Sequence, residues 1–488
     1  MEGPSYRRRH IERLNHRSND AIQARADDDC EPADPANTVT DRLNSLLQNG
    51  GEGYVLRLCP KQTYLIQAPI LFAHPGQEIS TLGYPTDDDR ATLAVNGPVA
   101  DGQGHTTAID GTCANCSRIK IRNIQINGTR GGAPSTNGGG NIEIGGDNAD
   151  QLVEFVRSYD PRGWTCLHVA EGPLTCTTVT IQNNDIGPCG TDTFQQWADG
   201  ISLSCRNSIV RNNMIQDATD GGIVVFGSAG SHIYNNTIWV VNSTLLGGIN
   251  LVDYDPWGGD YTGTEVLNNV IMGGFATDVQ DNTKGVNADN SIIKIGIAIG
   301  PRTWFGDRFG DNKVRNGIVR GNQLSGAFSY GIAATSAIGF TVQENQLVGN
   351  TAFIGARGPL CEETDVVPDP APFIMDPDTI QGSYFQSDFK SIGSGDSLTC
   401  VLPPNGGDFW PYGTTTNTSS SPTSPSKPVS AADTGNSSGR SAGIAIGVIA
   451  GIIICGVATW YIRKAILARR EASQLYKSSK EATYTQKI

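Results

Sequence analysis

The feature that most constrains the fold is a short frame, built around asparagine, that recurs through the middle of the chain. The frame is an apolar residue, two further residues, Asn, one residue, and then Ile or Leu. It occurs at Asn184, Asn213, Asn236, Asn269, Asn322 and Asn345. Successive copies are 29, 23, 33, 53 and 23 residues apart. A repeat of this length, made of short β-type runs, predicts a solenoid of parallel strands.

Each copy of the frame has Val or Ile at alternate positions, which is the period of a strand with one buried face. One coil cannot bury that face alone, so coils stacked about 4.8 Å apart are expected to share one core. The asparagine is expected to adopt the left-handed backbone region at a corner and to form a side-chain ladder. A second frame recurs between the first, at Gly200-Ile201, Gly222-Ile223, Gly248-Ile249, Gly296-Ile297 and Gly331-Ile332.

The rival fold is an antiparallel β-sandwich, which also consists of many short strands. Hairpin alternation does not predict the same residue at the same corner at these spacings. We therefore predict an all-β chain, with a parallel β-helix over residues 30–360 that begins with a short capping helix. One C-terminal transmembrane helix is predicted as well.

Cysteine usage indicates an oxidising compartment. Ten of the eleven cysteines precede residue 401, and an even number is typical of a disulfide framework. The close spacings suggest the pairs Cys30–Cys59, Cys113–Cys116, Cys166–Cys176, Cys189–Cys205 and Cys361–Cys400. The rival interpretation is a zinc site at the CxxC of 113–116, but no second ligand pair accompanies it.

Six Asn-x-Ser/Thr sequons agree with a secreted body and predict glycosylation. They are Asn115, Asn127, Asn235, Asn242, Asn417 and Asn436. The net charge of -13 makes nucleic acid an unsuitable partner. We expect a monomer.

The sequence of the C-terminal part of the chain predicts a membrane anchor. Residues 361–412 are predicted to form a Cys-linked cap, and the Ser/Thr/Pro-rich residues 413–441 a stalk. The predicted transmembrane segment 442–462 includes the run 443–462 of twenty uncharged, mostly apolar residues, which is enough to span a bilayer. The basic residues 463–488 are then expected in the cytosol, with the body outside the plasma membrane.

The N-terminal segment 1–29 is predicted to be disordered and has no apolar stretch typical of a signal peptide. Two interpretations follow. Either the sequence starts after a leader and the body is extracellular, or the protein is tail-anchored with a cytosolic body. The cysteines, sequons and stalk favour the first.

Residues 37–72 resemble the first coil of the pectate-lyase-like right-handed β-helix superfamily, in which a short helix caps the solenoid. The matching residues are Gly50, Gly51, Leu56, Leu58, Pro60 and Tyr64. The likeness continues to about residue 355 and implies a right-handed β-helix. Because this superfamily contains lyases, hydrolases, epimerases and non-enzymatic adhesins, the resemblance implies no single reaction.

The active-site motifs of the superfamily match in part. Polygalacturonases carry Asn-Thr-Asp, Asp-Asp, Gly-His-Gly and Arg-Ile-Lys, and only Ala198-Asp199-Gly200 and Thr219-Asp220-Gly221 resemble the first two. Alginate lyases and epimerases carry Tyr-Gly-x-Asp-Pro-His. The nearest match here is Asp253-Tyr254-Asp255-Pro256-Trp257, which lacks the His.

Asp199 and Asp220 precede the Gly-Ile pair on neighbouring coils, so stacking is expected to bring their carboxylates about 5 Å apart. At that separation two carboxylates can share acid and base work on a glycosidic bond. The plainer interpretation is that Asp before Gly forms a turn. Asp253 and Asp255 lie farther along their strand, about 13 Å or more from the pair, and predict a separate site or a turn.

Five aromatic residues near the Gly-Ile strands are candidates for stacking on sugar rings, or for ordinary packing. They are Trp197, Phe226, Tyr254, Trp257 and Trp304. Arg302 is a candidate for binding a sugar carboxylate or for the base of a lyase. Its alternative is an ion pair with Asp307 or Asp311.

No cofactor is predicted. The acidic run 87–89 offers carboxylates for calcium, although such runs are typical of solvated loops. Two functions are therefore expected: a lyase, glycoside hydrolase or epimerase that acts on a wall or other polysaccharide, or a non-catalytic surface protein that binds glycan.

Overall fold

The computed structural model describes residues 30–193, 196–276, 291–355, 368–393, 395–396 and 398–399. Several predictions lie outside these residues. They concern the segment 1–29, the pair Cys361–Cys400, the sequons Asn417 and Asn436, the stalk, the apolar segment 442–462 and the basic tail.

The described chain is a parallel β-helix in which each complete coil contributes a strand to each of three faces. The first face contains the strands before the asparagine corner: Val55–Leu58, Glu78–Thr81, Lys120–Arg122, Leu152–Glu154, Thr180–Gln182, Ile209–Arg211, His232–Tyr234, Glu265–Leu267, Ile318–Arg320, Thr341–Gln343 and Tyr384–Phe385.

The second face contains the strands after that corner: Thr63–Ile66, Ala91–Val95, Ile124–Asn127, Arg157–Tyr159, Asp185–Ile186, Met214–Gln216, Thr237–Trp239, Val270–Met272 and Gln346–Phe353. The third face contains the Gly-Ile strands and their neighbours: Ile70–Leu71, Ile109–Asp110, Ile142–Gly145, Thr165–Ala170, Asp199–Leu203, Gly221–Val225, Thr244–Leu251, Ile292–Ile299, Ala371–Met375 and Lys390–Ser391. The long strand Gln323–Ala334 serves the second face with its first half and the third face with its second half.

Few helices accompany the strands. The predicted capping helix is α1, Val39–Gly50, whose buried residues Val39, Leu43 and Leu47 cover the first coil. The second helix, α2, is Pro301–Phe305, and short 3-10 turns occupy Arg130–Gly132 and Gly306–Phe309. Two small sheets complete the described structure. Their strands are Val99–Ala100 with Gln103–Gly104, and Val314–Arg315 with Ala337–Ile338.

The asparagine frames stack at one corner, as predicted. The Nδ2 of Asn213 donates to the Oδ1 of Asn236 at 2.9 Å, and the Nδ2 of Asn236 donates to that of Asn269 at 2.9 Å. The ladder runs from Asn184 to Asn345. All six members are buried.

One detail of the predicted corner is wrong. The ladder asparagine does not adopt the left-handed backbone; the residue before it does, with φ of 55° at Asn212 and 55° at Asn235. The left-handed turn and the ladder hydrogen bond fall on successive residues for a physical reason. A left-handed residue turns the chain, and the next side chain then points inward, where it can bond along the stack.

The Gly-Ile frames also stack in register. Ile201 pairs with Ile223, Ile223 with Ile249, and Ile249 with Ile297, and all four side chains are fully buried. The glycines are required because neighbouring strands come close. A Cβ added to Gly222 would lie 2.5 Å from the carbonyl oxygen of the next glycine in the column.

Four disulfides lie within the described residues. Cys30–Cys59 and Cys113–Cys116 form as predicted. The other two pairings were wrong, because the chain forms Cys166–Cys189 and Cys176–Cys205, over separations of 23 and 29 residues. These separations match one coil. Stacking brings together residues one repeat apart, whereas the prediction paired residues that are close in sequence.

In the described part of the chain, no helix combines the length and the apolar character that crossing a bilayer requires. The expected membrane segment lies outside that part, so its prediction stays a prediction.

The ladder yields a test of what holds the coils in register. We expect Asn236→Ala to lower the free energy of unfolding by at least about 2 kcal/mol, because buried donors and acceptors on both neighbouring coils lose their partners. Asn235→Gly is the matched control. It keeps the left-handed corner and should change stability by less than about 0.5 kcal/mol. Denaturant unfolding measures both, and equal effects would contradict the ladder's role.

Candidate active site

The candidate site begins where Asp199 meets the next coil. Asp199 opens the strand Asp199–Leu203, and its Oδ1 accepts a hydrogen bond from the backbone N of Gly221 at 2.8 Å. Its Oδ2 accepts one from the hydroxyl of Ser202 at 2.7 Å. Asp220 directly precedes Gly221, so the two aspartates lie on adjacent coils. Asp199 is 4% exposed, whereas Asp220 is only half-buried.

Burial and mutual repulsion change the protonation of this pair. Burial raises the pKa of Asp199 well above its ordinary value, and the charge of Asp220 raises it further against two opposing hydrogen bonds. Burial also raises the pKa of Asp220 to about 6. Each carboxyl of the pair therefore keeps its proton to a higher pH than an ordinary aspartate does. A pair in this state can donate and accept protons at neutral pH.

The charge of Asp253 acts on Asp199, although the sequence predicted a separate site or a turn at Asp253. Its charge contributes to the raised pKa of Asp199. A charge acts over a longer distance across a buried surface, because little water screens it there. Asp255 is exposed in the turn that follows, so the structure separates the two residues.

Two of the five predicted stacking aromatics pack into the protein instead. Trp257 is 7% exposed, donates its Nε1 hydrogen to the carbonyl of Ser204 at 2.9 Å, and lies 4.1 Å from the guanidinium of Arg206. Trp304, on α2, is also 7% exposed and packs in an apolar cluster. At these two positions the alternative of ordinary packing is therefore the correct one.

The other three aromatics keep part of their surface in solvent. Trp197 packs against the edge of the apolar cluster. Tyr254 lies with its ring centroid 6.1 Å from that of Phe309. Phe226 follows the strand Gly221–Val225 and is half-buried. These three residues remain candidates for contact with a ligand.

The third face is open to solvent over only part of its length. The outward position of successive strands is partly exposed at Asp110, Glu143 and His168. From Ser202 onward that position is buried in every coil, as far as Ile374. An apolar cluster covers the C-terminal half: Leu246, Val252, Ile295, Ala298, Trp304, Tyr330, Ala333, Ala371, Ile374 and Leu398. The acid pair lies at the boundary between the open and the covered parts.

Arg302 forms an ion pair, but with a different partner from those predicted. Its Nε and one terminal nitrogen donate to the two oxygens of Asp396 at 2.7 and 2.6 Å. The hydrogen bond to Asp396 raises the pKa of Arg302. A guanidinium held in this way is a poor base, which argues against the predicted role in a lyase.

The sequence did not identify three residues beside the acid pair: Glu143, Trp164 and His168. The Nδ1 of His168 lies 2.6 Å from the Oε2 of Glu143, and the Trp164 ring contacts the His168 ring edge-on at 4.8 Å. The available signal was strand alternation. Thr165–Ala170 alternates so that His168 points outward, but this coil lacks the Gly-Ile pair that drew attention to its neighbours.

Two carboxylates of the acidic run 87–89 lie close to basic side chains. Asp89 pairs with Lys61 at 3.2 Å, and Asp88 lies 3.9 Å from Arg157. Within the described residues, no group of three or more His, Cys, Asp or Glu is arranged to hold a metal ion.

Four of the six sequons lie in the described residues. Asn115, Asn235 and Asn242 are exposed, and Asn127 is half-buried within a strand. Three of the four are therefore accessible positions.

Comparison with known proteins identifies no family for this chain. No protein-family model and no curated protein matches the chain. Among solved structures it is similar to DFA-IIIase from Arthrobacter chlorophenolicus A6 in complex with GF2, at 16% identity and a TM-score of 0.41, over 72% of this chain and 91% of that chain. It is also similar to the catalytic domain of a GH87 alpha-1,3-glucanase in complex with nigerose, at 13% identity and a TM-score of 0.40, over 77% of this chain and 70% of that chain. Similarity at this level carries no argument about reaction or substrate.

The raised pKa of Asp220 predicts a pH-dependent stability. Because the folded-state pKa is about 6 against an ordinary 3.8, the folded chain loses stability as the pH rises through that window. Asp220→Asn removes this loss and should stabilise the protein at pH 8 by up to about 3 kcal/mol, but not below pH 3.8. Denaturant unfolding at both pH values measures the difference.

The exposed Asp255→Asn is the control for this experiment and should show no such pH dependence. A stabilisation by Asp220→Asn that is the same at both pH values would contradict the buried-pair interpretation.

Proposed function

We propose that this protein hydrolyses glycosidic bonds in a polysaccharide and that Asp199 and Asp220 supply the proton transfer. The observation that carries the proposal is the pair itself: two aspartates on adjacent coils, with burial raising the pKa of both. Glycoside cleavage needs one group that protonates the leaving oxygen and one that assists the attacking water or stabilises the sugar cation.

Asp199 and Asp220 differ in their exposure to solvent, and this difference assigns their roles in the reaction. Asp220 is half-buried and is the member that contacts the substrate, while Asp199 lies beneath it and retains the shared proton within the pair. The pair donates its proton to the glycosidic oxygen as the carbon–oxygen bond breaks. A water molecule then attacks the sugar carbon and returns a proton to the pair. The charge of Asp253 nearby favours the positive transition state.

The charges around the site favour hydrolysis over the lyase and epimerase alternatives. Those reactions act on uronates and need a cation beside the sugar carboxylate. Arg302 is committed to Asp396, and the outward positions that lead to the pair include Asp110 and Glu143. An acidic approach suits an uncharged sugar better than a uronate.

A non-catalytic glycan-binding protein is the second candidate. It is supported by the low exposure of Asp199, at 4%, and by the covered C-terminal half of the third face. Under this proposal the acid pair is a structural corner, and partly exposed aromatics such as Trp197 provide the binding.

We also propose a cellular setting: a right-handed, monomeric β-helix over 30–360, related to the pectate-lyase-like superfamily, outside the plasma membrane. A cap at 361–412, a stalk at 413–441, a spanning helix at 442–462 and a cytosolic tail at 463–488 complete this arrangement. The four disulfides and the exposed sequons support an oxidising compartment.

The hydrolase proposal predicts the loss of turnover in the acid pair. Asp220→Asn and Asp199→Asn should each lower kcat at least about 100-fold, because general acid–base catalysis contributes on that scale. In the wild type, kcat/KM should fall on the acid side with a midpoint near pH 6, where Asp220 gains its proton. The assay is reducing-end release from a panel of polysaccharides.

Asp255→Asn is the matched control and should retain activity. Full activity in both pair variants would overturn the hydrolase proposal. Formation of an ultraviolet-absorbing unsaturated product would assign a lyase instead.

The extracellular setting predicts N-glycans. Treating the protein from a eukaryotic host with an N-glycan endoglycosidase should lower its apparent mass, and Asn242→Gln should lower it by one glycan. An unchanged mass together with free thiols in the β-helix would favour a cytosolic body.

A further inference from the structure

Three side chains on the outer surface of the third face lie next to the acid pair and take no part in the reaction proposed above. Glu143 and His168 are in register on neighbouring strands, and His168 is in register with Ser202, which bonds Asp199. All three side chains reach solvent, and Trp164 is 37% exposed. They occupy the end of the strip that leads from the open part of the face to the acids.

His168 presents a ring nitrogen to this strip. Its Nδ1 lies 2.6 Å from the Oε2 of Glu143. Since an ionised carboxylate only accepts, the Nδ1 donates to Glu143, and the Nε2 is left for a ligand. Among the residues that the structure describes, no group bonds to this Nε2. A sugar hydroxyl both donates and accepts, so it can bond to this nitrogen.

The Trp164 ring lies beside the His168 ring. The ring centroids of Trp164 and His168 are 4.8 Å apart and the planes meet at 64°, so the contact is edge-to-face. The backbone carbonyl of Trp164 accepts the N–H of Asp199 at 2.9 Å, which places the backbone of the tryptophan next to that of Asp199. A flat apolar surface next to a polar group is the combination that binds a sugar ring.

Buried Arg130 holds the backbone just before Trp164 and just before Trp197. Its guanidinium donates to the carbonyls of Pro161 and Gly163, just before Trp164, and to that of Gln196, at 2.6 Å, just before Trp197. Arg130 is 8% exposed. The tryptophan therefore starts from a fixed backbone, and less entropy is lost when a ligand binds.

We propose that Glu143, Trp164 and His168 form a subsite for an uncharged sugar ring on the two coils before the acid pair. The strand spacing of about 4.8 Å is close to the length of one sugar residue, so neighbouring rings of a chain can occupy the subsite and the acid pair. Glu143 and its register partner Asp110 repel a uronate. The inference rests on the proposed function for the class of its ligand.

The test measures binding apart from cleavage, in the Asp220→Asn variant. Its probes are tetrasaccharides of β-1,4-, β-1,3- and α-1,3-linked glucose, of N-acetylglucosamine and of galacturonate, titrated calorimetrically. For the uncharged sugar that binds, adding Trp164→Ala should weaken Kd about tenfold, and Trp164→Phe less than about threefold. His168→Ala should weaken Kd about fivefold. The change of tryptophan fluorescence on binding should disappear in Trp164→Phe.

Tyr384→Ala is the control, because this ring is 70% exposed on the first face and should not affect binding. Unchanged Kd values in Trp164→Ala and His168→Ala would overturn the subsite even where Asp220→Asn has abolished hydrolysis. Weaker binding in both, with no sugar hydrolysed by the wild type, would leave the subsite standing and remove the hydrolase proposal. Preferred binding of galacturonate, or binding of no probe at all, would overturn the subsite.

Discussion

The asparagine ladder is the interaction on which the rest of the structure depends. The Nδ2 of Asn213 donates to the Oδ1 of Asn236 at 2.9 Å and to the carbonyl of Ile181 at 3.0 Å. Its Oδ1 accepts from the side chain and the backbone of Asn184 at 2.9 and 3.1 Å. Every donor and acceptor of this buried amide is used, so a shift of one residue would leave several unpaired. The ladder therefore fixes the register of the coils, and the register places Asp199 beside Gly221.

The architecture could be predicted because its signals repeat. The ladder and the Gly-Ile column each provide one residue per coil, and stacking turns that period into contact. Features that occur once were predicted less well. The pairs Cys166–Cys189 and Cys176–Cys205 depend on which coils stack, and Trp304 is buried by packing against segments distant in sequence, such as that of Leu398. Neither fact is visible in local spacing.

The residues of the candidate site also differ in how well the sequence predicted them. Asp199 and Asp220 could be identified from the sequence because both precede a copy of the repeated Gly-Ile pair. Asp253 was predicted to form a separate site or a turn, and nothing in the sequence indicated that its charge contributes to the raised pKa of Asp199. Glu143 and His168 each occupy an ordinary outward position of a strand. Only the register that the ladder imposes brings them together.

The position of the acid pair explains how one fold can provide both burial and access. On the C-terminal side, the apolar cluster that contains Trp304 covers the third face. On the N-terminal side, the face opens at His168. A carboxyl at this boundary is desolvated enough for its pKa to rise and remains close to the surface that a ligand can reach. Because burial raises the pKa of both carboxyls in the folded chain, ionising them opposes folding. A stack whose register is fixed by fully bonded amides can tolerate that opposition without moving the coils apart.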